Sequence, residues 1–535
     1  MFYCKSPRIA VNTKLANLAR RYLINLCEAF FKPGKLFIFI SIYLSALLQS
    51  FIAHSNKIKR MRKIFPVVAL VCMVCISAVK SAAQTFSREV NEFIKIKPGT
   101  IALKDVKIID GTGGPAKEHQ VLLIQDDRIT ATGNAKDIMI PANATVIECS
   151  GKTIIPGLVM LHEHLYYTSP LEDFFNISEM PFTFPRLYLA AGVTTMRTGG
   201  SVEPQTDLNL KRLISEGKLT GPDMDVTAPY IERKGFDIPS LNVIKDTAEA
   251  AASVAFWSAK GCTSFKMYMH ATKEDLMVVV REAHKRGLKV TGHIGAITYR
   301  EAAELGIDDL EHGFMASTDF VSGKKDNELP AGGRKSLADL DLNSQQIKDL
   351  MRLLINKKVA VTSTLPVFEP YTDREIIHGG GLDALLPEIK EKQIKDWNNM
   401  QHKDSASLKL FKKELAWEKQ FYDAGGLLVA GTDPTGAGRT IAGYSDYRQV
   451  ELLVEAGFTA VQAIKICTLN GAVYLERTKD IGTIEKGKKA DIVLIDGDIE
   501  QNINNVRNTA IVFKNGVGFD SKKMFDSVKG KVGLY

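Results

Sequence analysis

The sequence predicts an α/β protein: a (β/α)8 TIM-like barrel carrying a small β-sandwich domain assembled from both chain ends. Three observations lead there. Eight short apolar β segments alternate with amphipathic helical stretches between about residues 156 and 475. Polar, ligand-capable residues recur at the C-terminal ends of those segments, where barrel enzymes build their sites. The stretches before and after this middle are alternating β segments punctuated by turns. Eight βα repeats over about 320 residues suit a barrel better than a doubly wound sheet, two smaller α/β domains being the alternative.

In chain order, residues 1–83 come first as a leader. They hold 13 Lys/Arg and one acid, Glu28, so they carry +12 of a formal +8 and the rest of the 535 residues carries −4. The basic balance therefore belongs to the leader, and the body has no Arg/Lys-rich stripe to neutralise phosphates, which excludes nucleic acid as a partner. MRKIFPVVALVCMVCISAVKSAAQ, from Met61, has a basic start, an apolar run and small residues before a cut after Ala83, as secretory signal peptides do. Residues 36–53 form a second apolar stretch close to bilayer-spanning length. Two readings of residues 1–60 stand: an N-terminal membrane anchor, or an extension from a start codon assigned too early, the second being favoured. The expectation is an exported protein, periplasmic or secreted, without a stable membrane anchor after cleavage. Four of the seven cysteines fall in this leader, leaving Cys149, Cys262 and Cys467 with no CxxC, so the body is not a disulfide scaffold.

Residues 84–155 contain IALKDVKIIDGTG, VLLIQDDRITATG and TVIECSGKTIIPG, and residues 476–535 contain ADIVLIDGD and TAIVFKNGVG. Apolar–polar alternation with Gly and Asp-Asp turns makes these the strands of the small domain. The barrel occupies 156–475, its β segments ending at LHEH, TTMRTGG, DVTAPYI, SFKMYM, VTGHI, DLEHG, VAVTSTL and LLVAGTD. Between them, stretches such as KEDLMVVVREAHKRG and SQQIKDLMRLLINKK have helical periodicity and end near Lys/Arg or Gly. Residues 314–343 and 366–403 are too long for simple connections and follow the sixth and seventh segments, on the side where barrel sites form; they are candidate lids or substrate walls, or surface insertions without a role.

His162 and His164 end the first segment, Lys266 the fourth, His293 the fifth, His312 the sixth and Asp433 the eighth. Alternate strand residues share a face, so the HxH spacing aims two imidazoles into the barrel mouth and turns Glu163 away. A helical zinc-protease motif would need a histidine at 166, which is Tyr166. HxH alone is weak evidence; four further ligand-capable groups at matching strand ends make a metal centre the stronger reading.

These residues, in PGLVMLHEH, GCTSFKMYM, GLKVTGHIG, DDLEHG and AGTDP, resemble the amidohydrolase superfamily, in particular its imidazolonepropionase-like and Xaa-Pro dipeptidase-like branch, and ADIVLIDGD resembles that family's small β domain. The resemblance spans about residues 95–520. It implies two divalent metal ions, usually zinc, with His162, His164 and Asp433 on one, His293 and His312 on the other, and carbamylated Lys266 bridging them. An ammonium beside two cations is electrostatically unfavourable, whereas a carbamate is an anionic oxygen ligand; a lysine serving one carboxylate, or a mononuclear site, is the alternative. Metals acidify bound water and polarise a carbonyl, and Asp433 is then the expected general base.

Tyr230, ending the third segment, and Tyr268, two beyond Lys266, are candidates to donate to an oxyanion or a substrate carboxylate. Arg197, near the end of the second segment, is a candidate to pair with a substrate carboxylate or with a neighbouring acid. His270, His284, His378 and His402 are read as surface or helix-end residues outside the site, and Gly199-Gly200 and Gly425-Gly426 as turns. The expected activity is hydrolysis of a carbon–nitrogen bond in a small molecule or dipeptide, such as an Xaa-Pro dipeptide or an N-acyl amino acid. Alternatives are ring opening of a cyclic amide, a lactonase or esterase, and, remotely, a non-catalytic exported binding protein. A homo-oligomer is compatible with all of these.

Overall fold

The computed structural model describes residues 86–533 apart from 172–175, 236–240, 373, 375–379, 401–404 and 437. The leader, with the expected signal peptide and the second apolar stretch, lies outside the described residues. Among those described, no helix is long and apolar enough to cross a membrane.

Both chain ends join one nine-stranded sheet. Its N-terminal strands are β1 (Ile94–Ile96), β2 (Thr100–Ile108), β3 (Lys117–Gln125), β4 (Arg128–Asn134), β5 (Thr145–Glu148) and β6 (Lys152–Pro156). A register shift between Lys104 and Val106 accompanies the left-handed backbone of Asp105 (φ 58°), a conformation that Asp tolerates better than most residues. That bulge divides β2: Ile101–Lys104 pair with β5, whereas Lys107 and Ile108 pair with β6. One sheet core draws Leu103, Leu122 and Ile154 from the N-terminal strands and Ile492, Leu494 and Phe513 from the C-terminal ones.

The next strands carry the parallel α/β region: β7 (Leu158–Glu163), β8 (Tyr166–Ser169), β9 (Asn176–Glu179), β10 (Val193–Thr198), β11 (Asp223–Asp225), β12 (Ile231–Glu232), β13 (Asn242–Val243), β14 (Ser264–Met267), β15 (Lys289–Gly292), β16 (Asp309–Glu311), β17 (Ala360–Ser363) and β18 (Leu428–Ala430). β7, β10 and β11 form one parallel array, and β13-β12-β14-β15-β16-β17-β18 another. A parallel bridge between Thr227 and Ser264 links the arrays on one side. On the other, the Thr432 and Asp433 N–H groups donate to the His162 carbonyl at 3.1 and 3.0 Å. The arrangement is TIM-barrel-like, and all eight β segments read from the sequence are present, the third interrupted between β11 and β12. Every residue of β7 and β10 is buried, as befits strands covered on both faces.

The intervening helices follow their sequence signals. Thr272 caps Lys273–His284 in a capping box with Asp275, Thr298 does the same for Tyr299–Leu305 with Glu301, and Ser344 caps Gln345–Lys357. β8 and β9 form a separate antiparallel pair next to β7 in sequence. The chain then returns to the first sheet with β19 (Ile492–Asp496), β20 (Thr509–Lys514) and β21 (Val517–Asp520), β19 inserting beside β6. Cys149, Cys262 and Cys467 are free and buried.

Candidate metal centre and active site

His162 sits on fully buried β7, and both of its ring nitrogens are buried without a hydrogen-bond partner. Two glycines leave it room. A Cβ at Gly199 would lie 2.4 Å from the ring's Cδ2, and one at Gly431 2.4 Å from the His162 Cβ. Burial, followed by the nearby Lys266 charge, holds its pKa well below the usual histidine value, so the imidazole is neutral and able to ligate. His164, just beyond the strand, places Nε2 3.1 Å from Asp433 Oδ1, with Nδ1 3.2 Å from the Gly200 carbonyl. The Tyr188 hydroxyl donates to the His164 carbonyl at 2.7 Å. Glu163 points elsewhere: its Oε2 accepts from the Thr432 hydroxyl at 2.6 Å.

His312 and Asp433 both take left-handed backbone conformations, with φ of 70° and 49°. Such strain in non-glycine residues persists only where surrounding structure enforces it, and it concentrates at functional sites. His312 Nδ1 is 2.9 Å from the Thr364 hydroxyl, and its ring lies 4.7 Å from that of His162 and 4.3 Å from that of His293. Ligand atoms of His162, His312 and Asp433 all fall within 4.8 Å of one another. Burial would raise the Asp433 carboxyl, but the hydrogen bond from His164 and nearby charges including Lys266 keep it well below the carboxylate range. Burial lowers His293 to about 3. Neutral imidazoles around an ionised carboxylate, one with both nitrogens orphaned in the interior, suit a divalent cation.

Lys266 is 2% exposed; its ammonium lies 2.6 Å from Glu311 Oε2 and donates to the Gly199 carbonyl at 2.6 Å. In this structure it is thus a barrel lysine paired with one carboxylate. Arg197 does not reach the rim. It is 1% exposed, its Nε donates to the Leu161 carbonyl at 2.7 Å and its Nη2 to Asp309 at 2.7 Å, with Glu311 3.7 Å away. The neighbouring-acid alternative describes its position: Arg197 pairs with Asp309 in the interior and does not line the cavity. Thr291 and Thr362 hydroxyls complete the polar layer by donating to Asp309.

Tyr230 and Tyr268 do face the mouth, with ring centroids 5.0 Å apart. Sequence reasoning missed Tyr166, whose hydroxyl is 2.8 Å from that of Tyr230. No strand alternation announced it, since β7 ends at Glu163 and Tyr166 opens the separate strand β8 after a bend at Leu165. Glu311 was also missed, although Asp309 and Glu311 alternate on β16. Burial, reinforced by neighbouring acidic groups, pushes Tyr166 and Tyr230 well above the usual phenol value, so both remain protonated donors. The site opens into a cavity of about 530 Å³. The 314–343 segment contributes Met315, Leu329 and Arg334 to its walls, and the 366–403 segment Val367, Phe368 and Tyr371.

The model of the amidohydrolase family matches residues 382–519. An imidazolonepropionase of Alkaliphilus oremlandii (strain OhILAs) is 20% identical over 394 residues, covering 70% of this chain and 83% of the relative. A 5-methylthioadenosine/S-adenosylhomocysteine deaminase of Moorella thermoacetica (strain ATCC 39073 / JCM 9320) is 25% identical over 429 residues, covering 74% and 86%. The crystal structure of a Xaa-Pro dipeptidase with bound methionine superposes with a TM-score of 0.59 at 20% identity, covering 79% of this chain and all of that one, which speaks to the fold. The chain is thus similar to amidohydrolases, hydrolases acting on carbon–nitrogen bonds: the family model matches its C-terminal part, and relatives at 20–25% identity span most of it.

Proposed function

We propose that the protein is an exported, divalent-metal-dependent amidohydrolase that cleaves a carbon–nitrogen bond in a small substrate, an Xaa-Pro-type dipeptide or an N-acyl amino acid. The observation that carries it is the convergence of His162, His312 and Asp433 at one rim around an imidazole with neither nitrogen partnered. The reading takes the eight parallel strands as a closed barrel over residues 156–475 and the mixed sheet as a sandwich domain from 84–155 and 476–535. In it, His162, His164 and Asp433 would hold one cation and His293 and His312 a second, and Lys266, released from Glu311 and deprotonated, would add CO2 to give a carbamate as a further anionic ligand. Bound there, the cations, zinc by preference, would supply acidified water and a Lewis acid for the scissile carbonyl.

The protein's own groups do the rest. Asp433, ionised and 14% exposed, accepts the proton of the attacking water and returns it to the leaving nitrogen. Tyr230, Tyr268 and Tyr166 are protonated donors positioned for the oxyanion that develops at the carbonyl. Apolar walls from Met315, Leu329, Val367 and Phe368 limit water around the reacting bond.

Ring opening of an imidazolone-like cyclic amide is the second reading, supported by relatives named imidazolonepropionase over most of the chain. Metal analysis of the purified protein, followed by a panel of dipeptides, N-acyl amino acids, cyclic amides, lactones and esters, tests both. Stoichiometric metal with turnover of dipeptides or N-acyl amino acids is expected; turnover confined to cyclic amides supports the alternative. A folded protein that binds no divalent metal and hydrolyses nothing refutes the enzyme reading. Metal content that rises with bicarbonate, and loses this dependence in Lys266→Ala, is expected of the carbamate. Mass spectrometry of the natural N-terminus is expected to find Gln84 first.

A further inference from the structure

His162 turns its two ring nitrogens toward different carboxylates. Nε2 lies 3.7 Å from Asp433 Oδ1, the oxygen that His164 Nε2 also approaches at 3.1 Å, so this edge of the ring faces the candidate cation position. Nδ1 lies 3.6 Å from Glu311 Oε2. His162 Nδ1 and Glu311 Oε2 are both buried, and neither takes part in a hydrogen bond. Lys266 approaches the same oxygen at 2.6 Å as a charge contact, which leaves the oxygen a lone pair for a second donor.

Both partners are held in place by other groups. Glu311 is 0% exposed; its Oε1 accepts from the Thr291 hydroxyl at 2.9 Å and lies 3.7 Å from Arg197 Nη2, and its carbonyl accepts from the Tyr299 hydroxyl at 3.0 Å. Its strand is paired on both sides, with β15 and with β17. Release of Lys266, which the metal reading requires, therefore leaves this carboxylate facing the His162 edge. The His162 ring is confined by Gly199 and Gly431, whose missing side chains are the space it fills. Closing the gap to a charge-assisted contact of about 2.8 Å takes about 0.8 Å of side-chain movement.

A neutral imidazole ligates through one nitrogen only when its proton sits on the other, and an acceptor at that other nitrogen fixes both tautomer and ring orientation. Resting on the metal reading above and deepening it, we infer that Glu311 is a positioning residue: its Oε2 accepts the Nδ1–H of His162, which leaves Nε2 bare toward the cation. The carboxylate then does more than neutralise Lys266, and the polar layer of Arg197, Asp309, Thr291 and Glu311 supports a metal ligand.

The test measures zinc affinity, by competition with a chromophoric chelator, for wild type, Glu311→Gln, Lys266→Met and the double variant Glu311→Leu/Lys266→Met. The double variant replaces both members of the buried pair by apolar side chains, so that neither charge is stranded. Glu311→Gln is expected to bind zinc about 10- to 100-fold more weakly than wild type, and the double variant more weakly than Lys266→Met by a similar factor, the range for a lost partner of a ligating histidine. Imidazole nitrogen–proton correlation spectra of the metal-free protein, with the His162 signal assigned by its loss in His162→Asn, read the tautomer. Nδ1–H is expected in wild type and in Lys266→Met, and Nε2–H in the double variant. An Nε2–H tautomer in wild type overturns the inference. So does zinc binding by the double variant within about twofold of Lys266→Met, which would leave Glu311 as the counter-ion of Lys266 alone. A wild type that binds no zinc, yet shows an Nδ1–H that the double variant loses, ends the metal reading while the pairing of Glu311 with His162 stands.

Discussion

Replacing Arg197 by methionine tests whether this residue is a strut of the barrel interior or a contact for substrate. The guanidinium Nη2 lies 2.7 Å from Asp309 Oδ2 and 3.7 Å from Glu311 Oε1. At an effective dielectric constant of about 20, those separations correspond to about 6 and about 4.5 kcal/mol of attraction. Most of this offsets the desolvation of a cation that is 1% exposed and packs 5.1 Å from the Tyr474 ring. What remains on removing one partner of a buried network is a loss of about 3–5 kcal/mol, because Asp309 keeps its burial without its cation. With an unfolding entropy of about 2.1 cal/mol/K per residue over about 450 residues, that becomes a fall in Tm of roughly 3–5 °C. Calorimetry on the metal-loaded variant reads the stability, and initial-rate kinetics on the folded protein read KM. The expected result is lowered stability with KM within about twofold of wild type. A variant as stable as wild type whose KM rises by an order of magnitude would falsify the placement of Arg197 beneath the site.

Four further expectations follow from the same geometry. At Gly313, φ is 59° and a Cβ would sit 1.8 Å from Glu414 Oε1, which accepts the Phe314 N–H at 2.8 Å. Gly313→Ala is therefore expected to lose about 2–5 kcal/mol in urea unfolding and to retain less metal after desalting, since His312 is the adjoining residue. Burial raises Asp207 from 3.8 to about 7 in the folded state. Its contribution to stability is present below pH 3.8 and is lost as pH rises through about 7, so Asp207→Asn should gain stability relative to wild type between pH 4 and pH 8 by urea titration; an unchanged difference across that window contradicts the shift. Chelation should abolish amide hydrolysis and lower Tm together, both returning on adding zinc or manganese, with retention of full activity in metal-free protein as the contrary result. Asp433→Asn should lower kcat by at least about 100-fold even in preparations whose metal analysis matches wild type, the scale expected for a lost general base.

The candidate metal-ligating residues stood out in the sequence for a local reason. On a parallel strand the last residues point into the mouth, and a two-residue step keeps side chains on one face, so His162, His164, Lys266, His293, His312 and Asp433 identify themselves by where their apolar runs stop. The helices between were legible from caps such as Thr272 and Ser344. The same two-residue logic extends to Asp309 with Glu311 on β16.

What the tertiary structure decided is which of these groups meet. Arg197 finds Asp309 across 112 residues of chain, and Lys266 finds Glu311, because β10, β14 and β16 project side chains into one interior; no local pattern records which inward layer a residue occupies. The chain ends were readable as β but not as one continuous sheet, since the bulge at Asp105 that redirects β2 acts through strand partners distant in sequence. Short-range stereochemistry thus marked the candidate ligands of the site, and long-range packing determined their neighbours.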